Sequence, residues 1–511
     1  MALNLTMTNL DHYDPNLSGL FAALQGNILK SHGRDLARHV FLRFTGTPQE
    51  CRGWLSGIAG KVTSFADQYE QTRAYRENAE RSLFTGFLLS STGYDALGIS
   101  RADQPDDPAF QAGMKDTGAE FDTRPRGDHT RRANPLNDDP DKWEVGFQSR
   151  LDALVILASG RKADTDGSDE MLDAEVERLK QQCEGVAEIV HVELGHVLRN
   201  ELGQVIEHFG NPDGVSNPTF MRPELDRLRR LRGGFGAYNG SGALDLVLFQ
   251  DPGGNNDTDY GSYFVYRKLQ QNIAGYRRKC AELAGKMQDA AMELRKAAGE
   301  VELDAPDIDA EYVNALCVGR FRDGTPISEQ AAPGTTNLPN GFNFDHDDRG
   351  LRCPFQAHIR KANPRKDTHR EFGAPQTVEY SRRIVRRGIS YGSEDLMPDE
   401  EWTDAGLLFL SCQRSIEYQF IFMQHAWCNN QIFVEEGTGL DPICGAPNVG
   451  QSVIAQKWPL RWGIPSGSVA GNYDGSVADH VEFAFDDVVR MRGGEYFHAP
   501  SINTLHRIAA Q

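Results

Sequence analysis

Ala153–Ala158 (ALVILA) is an uninterrupted apolar run, closed by Asp152 on one side and by Ser159 and Gly160 on the other. A run this short and this uniformly apolar suits a central β-strand. Its surroundings alternate in character. Arg38–Phe44 (RHVFLRF) is rich in β-formers, with Val40, Leu42 and Phe44 interleaved among other residues. Asp169–Cys183 has the spacing of an amphipathic helix, and Val186–Val197 returns to strand character. Strand, helix and strand, with further helical stretches before them, predict an α+β sandwich.

The second half repeats the style. Gly261–Leu269, Gly406–Leu410 and Tyr496–Ala499 read as strands. Gln413–Trp427 reads as a helix with Ile416, Phe420, Met423 and Trp427 on one face. Gly275–Glu302 reads as a helix with a large solvated face, and the polar stretch Ala102–Asp141 as a long surface loop. The turn-rich Gly210–Pro218 (GNPDGVSNP) is the natural break, which divides the chain into 1–215 and 216–511. At about 150 residues per domain, length alone suggests about three domains. Two α+β halves with long polar insertions use the same length, and no sequence repeat of 20–50 residues relates them.

Charge narrows the function. Against 54 Lys+Arg stand 73 Asp+Glu, a net −19 over 511 residues. That excess of acid argues against nucleic acid, which needs positive surface to displace counterions, and against anionic membrane. No apolar run approaches the ~20 residues that span a bilayer. The first residues lack a basic segment followed by an apolar one, so a cytoplasmic location is expected. Eight cysteines lie far apart, without C-x-x-C or C-x-x-C-H. They are expected to be reduced, mostly buried thiols, with no zinc ribbon and no covalent haem attachment.

Signatures of P-loop NTPases, α/β-hydrolases and zincins are absent. Three other segments concentrate polar chemistry. In Glu207–Gly214 (EHFGNPDG), Gly210 and Gly214 flank Asp213 and permit a tight turn with close backbone approach. In Arg352–Arg365 (RCPFQAHIRKANPR), His358 stands among three Arg and one Lys. A neutral imidazole ligates iron, and the cations suit an anionic cofactor such as a haem with two propionates. Alone, such a histidine is more often structural. Arg383–Gly392 (RIVRRGISYG) alone reads as a basic edge strand.

In this order the three segments resemble the dye-decolorizing (DyP-type) haem peroxidase family. LQGNILKSHGRDLARHVFLRF near the start, GLLFLSCQRSIEYQFIFMQHAW at 406–427, GTGLDPICG at 437–445 and RGGEYFHAPS at 492–501 extend the likeness to nearly the whole chain. The polar insertions resemble its longer-chain branch. The resemblance implies two ferredoxin-like α+β domains, antiparallel sheets packed with helices, and haem b held non-covalently, mainly in the C-terminal one. It implies His358 as proximal iron ligand, Asp441 as the carboxylate taking the ligand's other ring N–H, and Asp213 and Arg386 on the distal face. Leu408 and Phe420 are expected as apolar cover, and Arg360, Asn363 and Arg365 as haem-pocket or propionate contacts.

The implied reaction reduces hydrogen peroxide and oxidises dyes, phenols or other aromatic donors through a ferryl haem radical. A single carboxylate can carry a proton from the near to the far peroxide oxygen, while an arginine stabilises the negative charge of O–O cleavage. A carboxylate base titrates below a histidine, so an acidic optimum is expected. Tyr391, Trp402 and Tyr418 are candidate surface relays for bulky donors, and His208 a candidate pocket neighbour. His346 has no assigned role. Homo-oligomer formation stays open. The alternative is a haem-binding or storage protein, which would keep His358 without needing Asp213 and Arg386.

Overall fold

The apolar run becomes a strand with every residue buried, Ala153–Ser159. In the computed structural model it lies inside a sheet built from β1 (Leu36–Phe44), β2 (Phe84–Leu89), β3 (Ala153–Ser159) and β4 (Ala187–His196), in spatial order β2-β3-β1-β4. The structure describes residues 3–78, 82–117, 136, 138–160, 169–231, 236–297, 307–335, 337–447, 451–463 and 480–511. Helices Pro48–Ala59 and Phe65–Asn78 connect β1 to β2, and Glu170–Cys183 connects β3 to β4. Asp169 caps that last helix by accepting from the N–H groups of Met171 and Leu172, which satisfies donors that have no partner inside the helix.

The second half has the same plan. β5 (Phe249–Gln250) leads into β6 (Tyr260–Gln271), and a long helix, Ile273–Ala297, follows. Then come β7 (Val385–Arg386), β8 (Ile389–Gly392), β9 (Ala405–Gln413), a helical stretch and β10 (Val489–Ala499). The order β8-β9-β6-β10 repeats that of the first sheet. Each half is therefore a ferredoxin-like βαββαβ unit. β7 and β8 are two pieces of one edge strand, both paired with β9. The break falls at Arg387 and Gly388. A Cβ on Gly388 would lie 2.9 Å from the Leu408 carbonyl oxygen, so only glycine lets the backbones come this close.

The two sheets meet at two corners, where Ser390 and Tyr391 pair with His196 and Gly195, and His498 pairs with Leu89. Strand pairing thus runs in a closed circuit, because β6 also pairs with β9. Apolar side chains fill the space between, with the Phe41 ring 4.9 Å from that of Tyr266 and 6.3 Å from that of Phe497. A second apolar cluster forms under the long helix, from Tyr276, Cys280, Leu283 and Met287 with Phe209, Leu316, Trp458 and Phe485. The segment carrying His358 lies between the two clusters. Phe355 belongs to the first and Ala357 to the second. The last helix, Ile502–Ala509, returns to the first unit and packs on Pro48–Ala59.

Two sequence expectations change. Within Ala102–Asp141, helices Pro108–Ala112 and Met114–Thr117 form, and Ala109, Phe110 and Met114 are buried. Apolar residues scattered through a polar stretch were enough to anchor it; residues 118–135 and 137 lie outside the described residues. The helix expected over Gly275–Glu302 spans Ile273–Ala297, and 298–302 lie outside the described residues. Among the described residues, no helix is long and apolar enough to cross a membrane.

Two buried histidines make the fold sensitive to acid. Burial, then the neighbouring Arg34, pushes His32 down to about 3. Burial pushes His39 down to about 4, against the opposing pull of Glu193. The unfolded chain binds these two protons near pH 6.5 and the native chain does not, so stability falls as pH drops from about 6.5 toward 4. At about 1.4 kcal/mol per pH unit for each group, the loss by pH 5 is about 4 kcal/mol. Urea unfolding at pH 7.5 and pH 5 checks it, and equal midpoints with equal slopes would refute the assignment.

Candidate active site

Arg360 organises the loop that carries His358. Its Nη1 donates to Asp347 Oδ2 at 2.8 Å, and its Nε and Nη2 donate to the two oxygens of Asp367 at 2.6 and 3.0 Å. The guanidinium is buried between the rings of Phe344 and Phe355, 4.3 and 4.4 Å from their centroids. Asp347 also accepts from the N–H groups of Leu351, Arg352 and Cys353. Nearby, buried Lys361 donates to the carbonyls of Trp427 and Asn430 at 3.1 and 2.6 Å. It thereby joins the His358–Ala362 helix to the end of the π-helical segments Ile416–Ile421 and Met423–Cys428. Such wide turns recur at functional sites.

On this platform His358 Nδ1 faces Asp441 Oδ2 at 2.9 Å. Asp441 Oδ1 accepts from the N–H groups of Ile443 and Cys444 at 2.8 and 3.0 Å. Burial opposes the Asp441 charge, but His358 and these N–H donors hold the carboxyl below its usual range. An ionised Asp441 can only accept, so Nδ1 carries a proton and Nε2 is the nitrogen left for a ligand. Nε2 makes no hydrogen bond among the described residues, and the His358 side chain keeps 29% of its accessible surface while that of Asp441 keeps none. An open imidazole nitrogen backed by a buried carboxylate has the chemistry of a metal ligand.

The second wall holds Asp213 and Arg386. Arg386 Nη1 donates to Asp213 Oδ1 at 2.5 Å, with 32% and 22% of the two side chains accessible. Gly210 and Gly214 take φ of +88° and +74°, which makes the turn around Asp213. Asn217 clamps the Arg386 backbone from both sides, its Oδ1 accepting the N–H at 3.0 Å and its Nδ2 donating to the carbonyl at 3.1 Å. Arg365 links the two walls. Its Nη2 donates to Ser216 Oγ at 2.9 Å, while its Nε is buried without a partner. An orphaned cationic donor, together with the open His358 Nε2, fits an anionic iron cofactor such as haem.

The expected pocket residues fall into different places. His358 with Asp441, and Asp213 with Arg386, are brought together as pairs. Arg360 is turned away and neutralised by Asp347 and Asp367, so its charge is not free for a propionate. Asn363 Nδ2 donates to the Tyr238 hydroxyl at 2.9 Å. Leu408 is fully buried on the face of β9 opposite to Arg386. Arg386 pairs with Ser411, and paired residues point the same way. Leu407 and Phe409 therefore share its face, and both are partly exposed. Phe420 is buried behind Phe409, with ring centroids 5.8 Å apart. His208 Nε2 donates to the Ser393 carbonyl at 2.9 Å rather than meeting Asp213, and His346 is exposed. Of the relay candidates, Tyr391 is buried under Lys268, Trp402 is covered by Arg490 and Tyr418 is 61% exposed.

Comparisons with known proteins identify the family. The family model "Dyp-type peroxidase, C-terminal" matches residues 237–432. The multifunctional dye peroxidase DyP2 of Amycolatopsis sp. is 33% identical over 502 residues, 95% of each chain. The chain belongs to the DyP-type peroxidase family. The crystal structure of a DyP-type peroxidase from Anabaena sp. superposes on this peroxidase with a TM-score of 0.82 and 36% identity, covering 99% of this chain and 98% of the other. The fungal dye-decolorizing peroxidase msp1 of Mycetinis scorodonius is 29% identical, over 82% of this chain and 75% of its own. This DyP-type peroxidase is a haem-dependent enzyme that uses hydrogen peroxide and reducing substrates.

Replacing Arg360 by Leu would leave Asp347 and Asp367 buried without their cation, a loss of about 3–5 kcal/mol. Thermal unfolding of the cofactor-free chain measures it. A midpoint equal to wild type would show that the network holds nothing in place.

Proposed function

We propose that this peroxidase oxidises dyes, phenols and related aromatic donors, that b-type haem is held without a covalent bond, and that His358 Nε2 is its iron ligand. The units 1–215 and 216–511 form the two domains in this reading, with the haem mainly in the second. The contact that carries the catalytic assignment is the Asp213–Arg386 pair. A haem-storage protein needs His358 but has no use for a carboxylate and a guanidinium held beside apolar Leu407 and Phe409.

The chemistry supplied by the haem, when bound, is one-electron oxidation of donors driven by hydrogen peroxide. The protein supplies proton transfer and charge. Asp213 takes the proton from the nearer peroxide oxygen and returns it to the farther one, which then leaves as water. Arg386 stays cationic throughout and stabilises the negative charge on the parting oxygen. Asn217 fixes where that charge sits by holding the Arg386 main chain. Leu407 and Phe409 keep bulk water from the same face, which strengthens the arginine's effect. Behind His358, Asp441 holds Nδ1–H and so makes the ring a stronger donor through Nε2. A carboxylate as the proton carrier favours turnover at acidic pH.

Two measurements test this reading. His358→Ala is expected to lose the Soret band of the haem-loaded protein. In stopped-flow mixing with peroxide, Asp213→Asn is expected to slow the first spectral change by about 10²–10⁴-fold, and Arg386→Leu by about 10²–10³-fold. An Asp213→Asn protein that reacts as fast as wild type removes Asp213 from the proton-transfer role.

A further inference from the structure

His498 stands in the segment RGGEYFHAPS, and the peroxidase site makes no use of it. It is buried, and its Nδ1 lies 2.8 Å from the Tyr94 hydroxyl. Its Nε2 lies 3.3 Å from Asp251 Oδ1, and neither of these two side chains has any accessible surface. Neither atom has any other polar partner among the described residues. The second Asp251 oxygen accepts the Ser501 N–H at 2.7 Å. Burial opposes the Asp251 charge, but His498 and Ser501 hold the carboxyl below its usual range. An ionised carboxylate can only accept, so Nε2 carries the proton and Nδ1 accepts from Tyr94. A Cβ on Gly261 would lie 2.2 Å from His498 Nε2 and 2.6 Å from Asp251 Oδ1, so β6 gives up a side chain where the two meet.

The triad lies on the Arg386 face of the second sheet. Arg386 pairs with Ser411 of β9 and Ser411 with Val265 of β6; two residues on, Gln413 pairs with Tyr263 and Tyr263 with His498 of β10. Paired residues, and residues two apart on a strand, share a face. At about 4.8 Å between strands and about 3.4 Å per residue, the His498 backbone is roughly 12 Å from that of Ser411. The Tyr263 ring stands between, 5.9 Å from the His498 ring. Among the described tyrosines, Tyr94 alone meets an imidazole. The hydroxyls of Tyr266, Tyr312 and Tyr391 are buried without a partner, Tyr276 donates to the Asn314 amide oxygen, and Tyr263 accepts from the Asp107 N–H. A phenol that loses an electron becomes strongly acidic, so it is oxidised readily only where a base can take its proton. We propose that Tyr94 takes up an oxidising equivalent from the peroxide-oxidised haem when no donor is at hand, and holds it as a neutral tyrosyl radical whose proton rests on His498. Only the source of that equivalent rests on the haem reading above.

The step balances. Tyr94 gives one electron to the haem and its hydroxyl proton to His498 Nδ1, so an O–H bond breaks and an N–H bond forms across the existing 2.8 Å contact. The products are an uncharged phenoxyl and an imidazolium. The imidazolium faces the Asp251 carboxylate, whose Oδ1 has no other claim on it, and a buried cation is tolerated where a buried anion meets it. Peroxide carries two oxidising equivalents, and Tyr94 takes one of them. An electron from a later donor reverses the step, and the proton returns to the phenol oxygen. Burial, then the Asp251 charge, pushes the Tyr94 phenol well above its usual range, so at rest the hydroxyl keeps its proton. Tyr94 is only 2% exposed. A radical there meets neither a bulky donor nor the tyrosine of another chain, so Tyr94 stores the equivalent, whereas the exposed Tyr418 could pass one on.

The test mixes haem-loaded protein with an equal amount of hydrogen peroxide without donor, freezes it rapidly and records electron paramagnetic resonance. The expected result is a tyrosyl signal that narrows in protein made with ring-deuterated tyrosine. Tyr94→Phe, which keeps the ring packed against Phe110, should lack the signal, while Tyr263→Phe should retain it. His498→Gln removes the base and should slow formation of the signal about 10²-fold. The first change in haem absorption after peroxide should keep its wild-type rate in all three variants. A tyrosyl signal that survives in Tyr94→Phe, one that forms at the wild-type rate in His498→Gln, or a haem spectrum changed by peroxide with no tyrosyl signal would each overturn the proposal. Flash oxidation of the same haem-loaded protein with ruthenium tris-bipyridine and persulfate supplies the equivalent without peroxide. If peroxide leaves the haem spectrum unchanged, the haem reading has failed, and the flash then decides on Tyr94 by itself: a long-lived signal missing from Tyr94→Phe supports it as the radical site, and no such difference overturns it.

Discussion

A guanidinium is tolerated out of water only where its charge and its N–H donors are met, and Arg360 imposes that condition on the whole site. Its donors reach Asp347 before His358 and Asp367 after it. Asp347 in turn gathers three backbone N–H groups of the approaching loop. The chain on both sides of His358 is thereby fixed before any cofactor is considered. What remains is a ring whose one nitrogen is already spoken for by Asp441.

The Asp213–Arg386 pair is set by a different constraint, the break in the edge strand at Arg387 and Gly388. Two adjacent arginines leave it in opposite directions. Arg386 turns to Asp213, while Arg387 is buried and donates to the carbonyls of Asn27 and Ile28 at 2.8 and 2.7 Å. The N-terminal segment therefore anchors the strand from which Arg386 projects. Arg365 then spans from the His358 segment to Ser216 beside the Asp213 turn. The two walls are joined by side-chain bonds rather than by a shared sheet.

Much of this was legible in the amino-acid order. The buried run at 153–158, the strands on either side of it and the order of the three polar segments all follow from local pattern. What failed were judgements that need a partner across space. Leu408 is a neighbour of the right residues in sequence, but β-pleat parity counted from Ser411, the residue opposite Arg386, selects Leu407 and Phe409. That parity becomes visible only once the pairing register is known. Arg360 looked available because counting cations near His358 ignores the acids that fold back onto them from 347 and 367. Phe420 has a helical position facing inward, yet a second aromatic stands in front of it. The ion pairs also explain why a net charge of −19 is compatible with a locally basic segment.

The return of the last helix to the first unit has a consequence in time. Pro48–Ala59 buries Cys51, Leu55, Ile58 and Ala59, and the helix packed on it is Ile502–Ala509, which buries Thr504, Leu505 and Ile508. At about 5–20 residues per second of synthesis, roughly 20–90 s separate the two as they leave the ribosome. Through that interval the N-terminal unit stands with one layer missing and an apolar helix face open to whatever it meets. Completion of the first half waits on the end of the second, so the chain cannot mature as two independent beads.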